Sequence, residues 1–113
     1  MPNILKLNAD VTAVDILAPV RLSKTPLLGG AGRECKYSIP TLPLTGVFKL
    51  QGHPSPSADT PAEGDAGWAD IATIDANADQ AGEIADLPGW IRVNVTTADA
   101  DGPDVAVYLE GVQ

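Results

Sequence analysis

The chain has 113 residues, a net charge of −8, and a hydrophobic fraction of 44% in which aromatic residues account for only 4%. That length fits one domain over residues 1–113, and the acidic balance argues against nucleic acid and anionic membrane surfaces, which call for clustered Lys and Arg. Cys35 is the one cysteine, which excludes an internal disulfide framework and a cysteine-based zinc site.

Ten prolines and eleven glycines punctuate short apolar runs, so the chain reads as many short strands joined by turns. The N-terminal run MPNILKLNADVTAVDIL has no basic start and is broken by Lys6, Asn8, Asp10 and Asp15. It does not read as a signal peptide, and no stretch approaches the ~20 apolar residues of a membrane helix. Synthesis and assembly in the cytoplasm are the expectation. Residues 3–8 alternate with period two, and residues 1–10 either pair within their own sheet or extend as an arm. VTAVDILA (11–18) follows, with Val14, Ile16 and Ala18 able to share a face. In PVRLSK (19–24) Pro19 marks a sheet edge, a bulge or a strand start, because it cannot donate to a ladder. TPLLGGAG (25–32) lacks the Gly-Lys-Ser/Thr and the helix of a phosphate cradle and reads as a connection.

RECKYSI (33–39) alternates, with Cys35, Tyr37 and Ile39 on one face, where Cys35 reads as a buried structural thiol. GVFKLQG (46–52) sets Phe48 and Leu50 against Val47, Lys49 and Gln51. HPSPSADTPAEGDAG (53–67) is a long aperiodic loop holding Pro54, Pro56 and Pro61. A loop of that length is unusual inside a compact domain. WADIATID (68–75) resumes the sheet, and a short strand is expected around 83–85. WIRVNVTT (90–97) is the clearest strand: Ile91, Val93 and Val95 face in, and Trp90, Arg92, Asn94 and Thr96 face out. VAVYLEGV (105–112) closes the chain, with Tyr108 opposite its apolar face. About eight strands with regular turn signals predict an all-β fold without substantial helix, an antiparallel β-sandwich of jelly-roll type.

The inventory for chemistry is thin. His53 is the only histidine and precedes a Pro-Ser-Pro loop, without the positioned nucleophile and acid of a triad. No catalytic residue, metal site or cofactor is assigned. DADGPD (99–104) clusters Asp99, Asp101 and Asp104, but it is too short for an EF-hand loop and reads as a turn with at most opportunistic calcium binding. Charge is uneven: residues 1–53 hold six bases and three acids, +3, and residues 54–113 hold Arg92 and twelve acids, −11. The halves either interleave or form a bipolar docking surface.

The stretches FKLQG, WADIAT and LPGWIRVNVTT…VAVYLEG together resemble small β-sandwich structural proteins of tailed bacteriophages, especially head decoration (cement) proteins. The similarity rests on Leu50-Gln51-Gly52, on Trp68 with Ile71, and on Leu87–Val95 with Val105–Gly111, over roughly residues 46–112. The chain departs from the pattern at its long 53–67 loop, where such proteins often have a short Asp/Gly turn. The resemblance implies no enzymatic activity. It implies a virion protein on the capsid exterior, assembled in the host cytoplasm, that bridges major capsid protein subunits. Self-association as a dimer, with a trimer second, accompanies that reading. Contacts to a partner or a second subunit are expected from Trp68, Trp90, Arg92, Tyr108, His53, Pro54, Pro56 and Pro61. The alternative is a carbohydrate-binding or tail- or fibre-associated module using exposed tryptophans. The 53–67 loop is expected either to lie over a partner, in which case its deletion spares the fold, or to be filler.

Overall fold

The computed structural model describes residues 4–22, 35–55, 57–84, 89–99 and 105–111. Among them are nine strands and no helix: β1 (Ile4–Ala9), β2 (Asp15–Ile16), β3 (Val20–Arg21), β4 (Cys35–Ser38), β5 (Val47–His53), β6 (Ala69–Ile74), β7 (Ala81–Ile84), β8 (Trp90–Thr97) and β9 (Val105–Gly111). They form two antiparallel sheets, ordered β1-β9-β4-β7 and β2-β8-β5-β6, with β3 also on β8. The chain is thus an all-β sandwich, as its turn spacing predicts. The Cα envelope of 36 × 33 × 17 Å is a flat plate, thin because only one layer of side chains separates sheets packed about 10 Å apart.

Period-two alternation decides what enters that layer. Ile91, Val93 and Val95 of β8 meet Val105, Val107 and Leu109 of β9, with Phe48 and Leu50 of β5 and Leu7 and Ala9 of β1. Scarce aromatics leave Phe48 as the largest fully buried side chain. Ile39, Ile74, Ile84, Val11 and Leu22 close the ends. The side chain of Cys35 lies outside what the structure describes. The expectations for these faces otherwise hold, except in the 11–18 run. There Asp10 and Thr12 turn the chain, Oδ1 of Asp10 accepting from the backbone N–H and the hydroxyl of Thr12. The turn sends Val11 into the core, leaves Val14 exposed and confines the strand to two residues.

Pro19 sits between β2 and β3 at the edge of the sheet. Ile16 pairs with Asn94 and Val20 with Ile91, so three residues on the edge face two on β8. This is a bulge, the position that tolerates the missing N–H. Leu17 N still donates to Val93 O at 2.9 Å, which carries the ladder across the gap. Residues 4–9 pair with β9 of their own chain rather than forming an arm. The 25–32 connection lies outside the described residues, as do Asp101, Asp104 and Pro56.

Candidate functional site

β5, β6 and β8 are neighbours, and their outward side chains fall on one surface. The register sets Gln51 opposite Arg92, Lys49 opposite Asn94 and His53 opposite Trp90, with Asp70 of β6 on the far side of Gln51. Gln51 links the three strands. Its Oε1 accepts from Arg92 Nε at 2.9 Å and from Asn94 Nδ2 at 3.4 Å, and its Nε2 donates to Asp70 Oδ1 at 2.8 Å. Lys49 Nζ pairs with Asp70 Oδ2 at 3.1 Å, a surface contact that adds little.

The 53–67 loop folds back over this polar surface. Its first half climbs by side-chain turns: Ser55 N donates to His53 Nδ1, Ser57 N to Ser55 Oγ, and Asp59 N to Ser57 Oγ. Its second half is closed by Asp65, whose N donates to Ala62 O and whose Oδ1 accepts from Gly67 N at 2.8 Å. β8 then supplies two long-range bonds, and Trp68, just before β6, adds a shorter-range one. Trp90 Nε1 donates to Ser57 O at 3.1 Å, Arg92 Nη1 to Glu63 O at 2.9 Å, and Trp68 Nε1 to Ala62 O at 2.9 Å. Because His53 Nδ1 accepts from Ser55 N–H, the neutral ring carries its proton on Nε2, which donates to Asp65 Oδ1 at 3.1 Å.

Ring contacts complete the clasp. The Arg92 guanidinium carbon lies 4.0 Å from the Trp68 ring centre, and the His53 ring meets Trp68 edge-on with centroids 5.2 Å apart. Such cation–π contact strengthens as water is excluded. Trp90, Arg92 and His53 are only 6%, 5% and 8% exposed. No described buried side-chain nitrogen or oxygen is left without a hydrogen-bond partner. Two glycines admit the close approaches: a Cβ on Gly89 would overlap the Ser55 carbonyl oxygen, and one on Gly67 would come 2.5 Å from His53 Nε2.

The loop therefore rests on its own sheet, which changes the expected result of deleting it: Trp90 and Arg92 would lose their cover and the fold would weaken. Trp90 presents no open face on which a sugar could stack. Pro54 is exposed, and Pro61 lines a small cleft with Ile16, Leu17 and Pro19. Tyr108 stands apart on the other sheet, in a surface concavity of about 640 Å³ with Lys6, Asn8, Asp10 and Thr12. The structure thus brings Trp68, Trp90, Arg92, His53 and Pro61 together and leaves Tyr108 elsewhere. Gln51 and Asp70 are members that sequence reasoning missed. The available signal was an outward polar Gln directly opposite an outward Arg.

Asp99, considered above as part of a calcium-binding turn, has another task. Its Oδ2 accepts backbone N–H bonds from Leu44, Thr45 and Gly46 at 2.8, 3.0 and 3.4 Å, and its side chain is buried. Among the described residues no group of three potential ligands is placed to hold a metal ion.

Hydrogen bonds hold four described carboxyls below their ordinary range, Asp10 through the Thr12 hydroxyl and backbone N–H and three others. Backbone N–H of Thr45 leads for Asp99, backbone N–H of Gly67 and then His53 for Asp65, and the Gln51 amide and then Lys49 for Asp70. Depressed carboxyls contribute stability above their unfolded values and lose it as pH falls through the lower folded values. The melting temperature should therefore stay level from neutral pH to about pH 4 and then drop. Asp99→Asn should lower it at neutral pH and flatten the acid drop in a melting series, whereas an unchanged acid drop would place the sensitivity elsewhere.

No protein-family model matches the chain, and neither a curated protein nor a solved structure does.

Proposed function

We propose that the protein is a non-catalytic structural component of a phage virion, bound to the outer surface of the capsid and bridging major capsid protein subunits. One observation carries this reading: three of the stretches behind the resemblance meet in a single network, the closing VAVYLEG strand lying in the other sheet. Gln51 of FKLQG, Asp70 of WADIAT and Arg92 of WIRVNV are joined through the Gln51 amide. Those motif residues are spent on fixing a loop in place, which is what a rigid clip requires and catalysis does not. The loop turns Asp59 and Glu63 to solvent, and three prolines limit the entropy lost when it meets a surface. An acidic, preorganised ridge suits a basic recess between capsid subunits.

The test is co-sedimentation with expanded and unexpanded shells of the virus that encodes the chain. The chain should pellet with expanded shells, saturate at a fixed ratio to the major capsid protein, and raise the temperature at which the shells rupture. Asp59→Lys alone, at an exposed position outside the Arg92 contact, should weaken binding and reduce its salt dependence while sparing the fold. A chain that stays in the supernatant with both shells overturns the reading.

A further inference from the structure

Among the described residues the sandwich has four sheet edges, and three carry a device that discourages pairing. The β2–β3 edge is broken by the Pro19 bulge. β6 has its own bulge at Ile71, because Leu50 pairs with Ala72 while Gln51 pairs with Asp70. β7 is only four residues long. β1 differs: its six residues pair with β9 in unbroken register from Ile4 to Ala9, with no proline and no bulge. It also has a concavity on each side. Lys6, Asn8 and Asp10 line the outer one of about 640 Å³. Leu7, Leu17, Val20 and Val93 line an inner cleft of about 250 Å³ where the two sheets part, and Lys6 and Asn8 of the strand border both hollows. An added strand needs such a place on each face for its alternating side chains.

We propose that β1 takes β1 of a second copy, antiparallel and two-fold symmetric about Asn8, joining the two four-stranded sheets into one. The charge pattern selects this occupant and this register. Pairing about Asn8 sets Leu7 opposite Ala9 on the inner side, and Lys6 opposite Asp10 of the second copy, the residue immediately after the end of β1, twice by symmetry. Lys6, Asn8 and Asp10 are all exposed on one face, and Asp10 is held by its two bonds from Thr12. Centring on Leu7 would match Lys6 with Asn8 and give no ion pair. Centring on Lys6 would oppose the two lysines, which costs stability. A chain of charge −8 repels its copies over most of its surface, so association is favoured where the charges locally balance. This interface does not depend on capsid binding.

Light scattering on a sizing column, from about 10 μM to about 1 mM protein, reads the association directly. The wild-type chain should shift from monomer to dimer across that range. Lys6→Glu and Asp10→Lys should each weaken the dimer about tenfold or more, since each turns two attractive cross-strand pairs repulsive. The double variant Lys6→Glu/Asp10→Lys should restore it. In a Cys35→Ser background, Asn8→Cys should oxidise to a disulfide-linked dimer, because Asn8 faces its own copy at the axis. A monomer at every concentration overturns the proposal. So does a dimer indifferent to both reversals, or one that the double variant fails to restore.

Discussion

Trp90→Ala should remove about 3–5 kcal/mol of stability, the range for deleting a large buried aromatic side chain. Trp90 begins β8 opposite His53, is 6% exposed, and donates from Nε1 to the Ser57 carbonyl. Alanine withdraws the ring from beneath the loop and leaves that carbonyl without its donor. Two losses then add: a cavity between sheet and loop, and a broken tie on the loop's first half. Trp90→Phe separates them, since it keeps most of the apolar area and removes only the donor, a change of about 1 kcal/mol. Urea unfolding monitored by circular dichroism gives both numbers. Limited proteolysis gives the local consequence: Trp90→Ala should open residues 57–67 to cleavage well before the sheets unfold. If the variant loses stability but its loop stays as resistant as in wild type, the loop is held by something other than Trp90.

Arg92→Ala should cost about 2–4 kcal/mol, because three contacts of a buried guanidinium fail together. Nε leaves Gln51, Nη1 leaves the Glu63 carbonyl, and the face of Trp68 loses its cation. Burial lowers the Arg92 pKa and the charge of Glu63 works in the other direction, but a guanidinium stays protonated throughout. Arg92→Lys is the sharper experiment. An ammonium cannot bond Gln51 and Glu63 in the same fork while stacking flat on the indole, so lysine should recover less than half of the loss. A double-mutant cycle with Gln51→Ala should show coupling of about 1 kcal/mol or more, as contacting residues in one network do. Full rescue by lysine, or strict additivity with Gln51, would mean that Arg92 acts by bulk alone.

Both outcomes bear on the proposed role. On that proposal, a loop clasped by Trp90 and Arg92 would meet a capsid already ordered, and less entropy would be lost on docking. Variants that free the loop should then bind shells more weakly even at temperatures where their sheets remain folded.

The sandwich was legible in the sequence because its cause is local. Alternation in WIRVNVTT and VAVYLEG is a property of the strand itself, and the side chains it assigns to the interior are the ones found there. Pro19 announced an interruption at a sheet edge for an equally local reason, its missing N–H. What lies against the outward face was not legible. Trp90, Arg92, Gln51 and His53 point away from the core as their positions require, yet they are buried, because a segment with few apolar residues folds back over them. That cover is built from the carbonyls of Ser57, Ala62 and Glu63, and a carbonyl is present at every residue, so nothing in the side-chain pattern marks those three. Asp99 hid its role in the same way: it looked like one of a cluster of acids, and its partners are backbone N–H groups more than fifty positions earlier in the chain. By itself the sequence determined which side chains of the long strands enter the core, though not that the Asp10–Thr12 turn would send Val11 there instead of Val14. Only tertiary structure decided that the opposite face of β5 and β8, around Gln51, His53, Trp90 and Arg92, would be a second, polar interior, since backbone hydrogen bonds between distant segments exist only once the chain has closed on itself.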